Sequence, residues 1–122
     1  MVHKERALLA GVNLNNDDDY EKSMDELENL AEACGFEVAG RVEQNLRSVS
    51  SAFYFGAGKV EETAELVEAM EADVVIFDNE LTPTQQRNLE KALGCRVLDR
   101  TQLILEIFAQ RARTREARLQ VE

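Results

Sequence analysis

Three groups of residues in this 122-residue chain are chemically suggestive: a glycine turn, a set of carboxylates at strand ends and a run of arginines. Phe55-Gly56-Ala57-Gly58-Lys59 lies between a strand-like and a helix-like segment. Backbone amides and a helix N-terminus can hold a phosphate at such a place. The turn departs from both standard phosphate loops. Gly58-Lys59 fits the end of GxxxxGK[ST], but Phe53 stands at the first glycine and Val60 where the magnesium-binding Ser/Thr belongs. The GxGxxG pattern fails at Glu61. Gly56, Gly58 and Lys59 are therefore either a tight strand-to-helix turn or an unorthodox phosphate site.

Asp73, Asp78, Glu80 and Asp99 fall near strand ends, where α/β sheets place functional groups, although Asp99 is more simply a helix cap. The single histidine, His3, is terminal, and no Ser-His-Asp, Cys-His or clustered metal-ligand pattern occurs. No nucleophile-and-base pair is recognisable. Cys34 and Cys95 match neither CxxC nor a metal spacing and read as reduced, buried thiols of a cytoplasmic protein.

The arginines sit where the charge changes sign. Residues 1–99 hold nine Lys/Arg against 21 Asp/Glu, whereas residues 100–122 hold five arginines against three glutamates. With a net charge of −10, a polyanion could be met only locally, and only at the C-terminal helix. Leu103, Ile104, Ile107 and Phe108 form a stripe expected to pack on the sheet. The line Ile104–Phe108–Arg111–Arg115–Arg118 then runs from apolar to cationic along one face. The helix is expected to leave the domain near Ala109 and to reach roughly 33 Å over its length. It meets no glycine or proline cap, and Leu119 and Val121 have no core to enter, as expected of a piece of a longer protein. Arg111, Arg113, Arg115 and Arg118 read either as a solvated face, with Arg118 paired to Glu122, or as contacts to phosphate or a partner, for which the guanidinium fork is suited.

The elements that must position these groups alternate. Ala7–Val12 is a continuous apolar run, suited to a strand covered on both faces. Tyr20, Met24, Leu27, Leu30, Ala31 and Cys34 recur at helical spacing up to Gly35. Residues 36–42 read as a second strand, 45–52 as a mobile loop, and Phe53-Tyr54-Phe55 as a short aromatic strand. A helix over 59–71, a buried strand over 73–78, a helix from Thr82-Pro83-Thr84-Gln85 to Gly94 and a strand over 96–98 follow. Asp99, with Gln102, caps the last helix. The expectation is a small α/β fold: a mostly parallel sheet of about four strands, helices on both faces, and a long C-terminal helix. Residues 1–108 form the subdomain and 109–122 the projecting helix. No apolar run approaches the length of a membrane span, and no signal peptide is recognisable.

Three strings carry a family resemblance. They are Tyr54-Phe55-Gly56-Ala57-Gly58-Lys59-Val60-Glu61-Glu62, the segment Phe77 to Glu90, and the segment Val97 to Ala112 continued by Thr114 to Glu122. In order and spacing they resemble the N-terminal domain of the HflX family of ribosome-associated GTPases. Residues 1–53 agree in pattern only. The resemblance implies a non-catalytic docking and regulatory domain, whose last helix begins a helical hairpin ahead of a GTPase domain that uses GTP and Mg2+. It implies binding to the large ribosomal subunit and its rRNA, association with ribosome splitting under stress, and ATP binding as a further expectation. Gly56, Gly58 and Lys59 become candidate phosphate contacts. Arg100, Arg111, Arg113, Arg115 and Arg118 become candidate contacts to RNA or to the GTPase domain. A purely structural alternative makes the last helix half of an interface through which copies self-associate.

Overall fold

The computed structural model describes residues 4–121, with side chains described as far as Arg113. Strands and helices alternate: β1 (Arg6–Leu14), α1 (Tyr20–Ala33), β2 (Glu37–Leu46), α2 (Ala57–Met70), β3 (Val74–Phe77), α3 (Pro83–Leu93), β4 (Arg96–Asp99) and α4 (Arg100–Val121). The four strands form one parallel sheet in the order β2-β1-β3-β4. This is the expected α/β fold.

The apolar run in β1 explains the layering. Ala7, Leu8, Leu9, Ala10 and Val12 are all buried, and alternate residues point to opposite faces. Ala7 and Leu9 join Met24, Leu27 and Ala31 of α1 and Leu103 of α4. Leu8, Ala10 and Val12 join Val60 and Val67 of α2 and Leu89 and Leu93 of α3. Two helices therefore cover each face of the sheet.

Local chemistry sets the helix ends. Past α1, Gly35 adopts φ +99°, its N–H donates to Glu32 O, and the Phe36 N–H donates to Ala31 O. This is a Schellman closure, and its left-handed residue favours glycine. Thr82 and Gln85 form the expected reciprocal capping box of α3, with Pro83 following the cap. Asp99 and Gln102 do the same for α4. Asp99 Oδ1 accepts from the Gln102 N–H, and Gln102 Oε1 accepts from the Asp99 N–H.

The structure departs from expectation in three places. First, β2 runs on to Leu46, because β1 continues to offer partners at Asn13 and Leu14. Second, Phe53-Tyr54-Phe55 is a turn, with one bridge between Ser50 and Tyr54. The Tyr54 and Phe55 rings pack on Phe77 instead of extending a ladder. The turn is tied down: Gln85 Nε2 donates to Ser50 O and Asn88 Nδ2 to Ala52 O. Third, Phe108 does not pack on the sheet; it is 60% exposed, and Leu105 61%. Leu103 is the buried anchor of α4, with Ile107 packed against the same cluster. At about 100° per residue, Phe108 lies far around the helix from that anchor.

Cys34 is buried, Cys95 is half-buried, and neither forms a disulfide. Burial, and after it Glu90, raises the Cys95 thiol to about 11, and burial with Glu106 raises Cys34. The folded state therefore holds these protons more tightly than the unfolded chain. Their contribution is complete below the unfolded thiol pKa of about 8.5 and is lost as pH climbs towards the folded value. Urea midpoints should fall across that window, and less so in Cys95→Ala. Two glycines should respond oppositely to substitution. A Cβ on Gly11 would sit 2.6 Å from both Met24 Sδ and Tyr20 Oη, so Gly11→Ala should cost about 1–3 kcal/mol. A Cβ on Gly58 meets no heavy atom within 4 Å, and Gly58→Ala should stabilise by about 0.5–1 kcal/mol. Denaturant titration checks both.

Candidate functional site

Because every strand is parallel, the helix N-termini gather at the carboxyl edge of the sheet. The glycine turn at the start of α2 and Arg100 at the start of α4 lie on that edge. Arg111 and Arg113 do not. Gln110 Nε2 reaches Cys34 O, at the far end of α1, so α4 has by then crossed to the amino edge. Eleven residues of helix separate Arg100 from Arg111 by about 16 Å. The candidate residues thus form two groups at opposite ends of the domain. Arg115 and Arg118 lie farther along α4, outside the described side chains.

At the glycine turn, Gly56 caps α2 with extended backbone, and its N–H donates to Gln44 Oε1 at 3.0 Å. Gly58 lies in the first turn, and Lys59 Nζ pairs with Glu62 at 2.5 Å. Neither glycine has a positive φ; the left-handed residue is Tyr54, at φ 66°. That conformation costs on the order of 1–3 kcal/mol in a non-glycine residue. The buried ring, set edge-on to Phe77 with centroids 6.2 Å apart, helps hold it there. Burial, then the Asp78 charge, raises the Tyr54 phenol, against a hydrogen bond to Asn79.

Arg100 is an internal tie. Its Nη1 donates to Asp78 Oδ1 at 2.6 Å and to Ser23 Oγ at 3.0 Å, and its Nη2 donates to Glu26 Oε2 at 3.0 Å. Ser23 Oγ in turn donates to Asp78 Oδ2. The Asp78 side chain is 8% exposed, so this cluster joins α1, β3 and α4 largely out of water. Arg111 is exposed, and Arg113 is 63% exposed, 3.5 Å from Glu106 on its own helix. Among the described residues no group of His, Cys, Asp or Glu could hold a metal ion, and no helix is long and apolar enough to cross a membrane.

The three strings interlock. Gln85 and Asn88 of the second hold the turn that opens the first. Asp78 of the second holds Arg100 of the third. Gln86 Nε2 donates to Val97 O, and Gln86 and Gln102 exchange side-chain hydrogen bonds. Buried Asp99 Oδ2 also accepts the Leu81 N–H. Sequence reasoning overlooked a row of asparagines at the carboxyl edge: Asn13 and Asn45 near the ends of β1 and β2, and Asn79 just after β3. The signal was available, since the apolar runs of β1 and β3 each give way to an asparagine within two residues. Asn79 Oδ1 accepts the Val12 N–H and Asn13 Oδ1 the Asp17 N–H.

Comparisons with known proteins agree with these interlocked strings. The GTPase HflX of Alkalihalophilus pseudofirmus is 48% identical over 119 residues, which cover 97% of this chain and 28% of the relative. That of Escherichia coli K12 is 45% identical over 118 residues, again 97% and 28%. The chain thus spans just over a quarter of these relatives' length. A crystal structure of SsGBP with GDP superposes with a TM-score of 0.68 at 25% identity, covering 87% of this chain and 29% of the other. A GTP-binding protein of Sulfolobus solfataricus, at 24% identity and a TM-score of 0.64, shares the fold. The family described as GTP-binding GTPase N-terminal matches residues 21–109, which include most of the sheet, the first two strings and the start of the third. On that match, this chain belongs to the GTP-binding GTPase N-terminal family and represents the N-terminal domain of an HflX-type protein.

Proposed function

We propose that this chain is the non-catalytic docking and regulatory domain of an HflX-type GTPase, and that the parent protein acts in the cytoplasm on the large ribosomal subunit, splitting ribosomes under stress. GTP and Mg2+ belong, in this reading, to a separate GTPase domain of the parent. The supporting observation is the polarity of α4. One end is bound into the domain through Arg100. Past Gln110 the helix carries Arg111 and Arg113 into solvent, on an otherwise acidic body. Exposed arginines at that end suit rRNA phosphates or an acidic face of the GTPase domain.

A second reading is favoured by exposed Leu105 and Phe108, which make α4 suited to an apolar interface between copies of the chain. Sedimentation of the isolated chain should then show concentration-dependent dimers that Phe108→Ser abolishes. A monomer throughout removes this reading.

The docking reading separates the arginines by role. In ribosome pelleting with the parent protein, replacing Arg111, Arg115 and Arg118 by alanine should weaken association and flatten its salt dependence by up to about three charges, without lowering the melting temperature. Arg100→Ala should do the reverse. It leaves Asp78 without its cation in a mostly buried setting and should destabilise the domain by about 2–4 kcal/mol. An unchanged affinity and salt slope in the triple variant would remove the helix as the contact.

A further inference from the structure

The two edges of the sheet end differently. At one edge β4 is four residues long, and α3 takes up its backbone groups at Val97. The Val97 N–H donates to Glu90 Oε2 at 3.2 Å, and Val97 O accepts from Gln86 Nε2 at 2.6 Å. At the other edge β2 is ten residues long and pairs with β1 alone. Among the described residues no side chain bonds to the β2 backbone, and Val42 is the strand's single buried residue. A strand edge of this kind is a template for another strand.

Part of β2 is blunted. Ala39 is an extra residue between Val38 and Gly40, opposite the step from Ala7 to Leu8, and such a bulge interrupts pairing. From Gly40 to Leu46 the register with β1 is unbroken. Within this regular stretch Arg41 lies on the α1 face, where it meets Asp25 at 2.8 Å and Glu28 at 2.9 Å. Glu43 falls on the same face, exposed and in no ion pair among the described residues. Val42 turns to the opposite face and joins the core beneath α2.

A two-fold axis normal to the sheet would pair two β2 strands antiparallel, each residue facing one from the same side of the sheet. Such an axis passes through a residue pair. Centred on Arg41 it opposes two arginines, and centred on Glu43 two glutamates; like charges set directly opposite repel. Centred on Val42 it opposes Arg41 of each copy to Glu43 of the other, with Gly40 against Gln44. In that register the strand is complementary to itself, and the same charges discriminate against strands of other pattern.

We infer that two copies of this chain pair through β2, antiparallel about Val42, and join their sheets into one. The net charge of −10 opposes the approach of two copies, so the association is weak and reversible. The inference rests on neither the ribosomal reading nor the α4 interface.

The test uses Phe108→Ser as background, which removes the α4 interface. Sedimentation of that variant should show a dimer that grows as the chain approaches millimolar concentration. The amides of Gly40–Gln44 that β1 leaves unbonded should exchange with deuterium more slowly as concentration rises, and those of α4 should not change. Glu43→Lys sets a lysine opposite Arg41 at two places and should weaken the dimer on the order of tenfold or more. Glu43→Gln removes the charge without reversing it and should weaken the dimer less. Glu65→Lys makes the same change in net charge on the exposed side of α2. It lowers the general repulsion alone and should leave the dimer unchanged or strengthen it. Melting curves check that the variants fold. Equal effects of Glu43→Lys and Glu65→Lys would overturn the inference, as would a dimer without slowed exchange in β2. A monomer at every concentration would also overturn it, and would leave this edge to an extended segment of a different protein.

Discussion

The structure depends on the burial of β1 on both faces. Ala7 to Val12 offers no polar side that could face water, so each face must be covered by helix. With three connections between four parallel strands, the chain must return each time along a face of the sheet. The observed solution places α1 and α4 on one side and α2 and α3 on the other. All four helix N-termini then point the same way, and the carboxyl edge collects the caps, the glycine turn and the asparagines. The chemistry of this domain is concentrated there because the central strand leaves no other arrangement.

Hydrogen bonds at that edge couple elements far apart in the chain. Arg100 meets Ser23 and Asp78 across 77 and 22 positions. Gln85 and Asn88 hold a turn some 35 residues before them. The residues that carry the family resemblance are thus largely mutual partners. They act as one set: altering one leaves a buried polar group of another unpaired. The glycine turn belongs to the same set, with Gly56 bonded to Gln44 and the strained backbone placed on Tyr54.

Much of the fold was legible in the residues. The apolar runs of β1 and β3, the helical spacing of α1 and the capping pairs Thr82–Gln85 and Asp99–Gln102 all announce their elements. What misled was local pattern without its partner. Phe53-Tyr54-Phe55 has strand composition, but its rings serve the core beneath Phe77, and the sheet has no place for a fifth strand beside it. Asn45 and Leu46 look like loop until β1 supplies a ladder for them. Of the candidate site, Arg100 illustrates the limit. Alone it is one more cation in a basic helix, and only Asp78, Ser23 and Glu26 show that it faces inward.

By itself the sequence determined the alternation of elements, the burial of the central strand, the capped starts of α3 and α4 and the acidic body with its basic tail. These follow from side-chain type and spacing, which act over a few residues. Tertiary structure alone decided that Arg100 and Arg111 belong to opposite ends of the domain, that Phe108 faces water while Leu103 does not, and that the Tyr20 side chain lies buried against Gly11. These depend on where α4 crosses the sheet and on which residues the strand register sets side by side. Such placements are global consequences of packing that no short stretch of sequence contains.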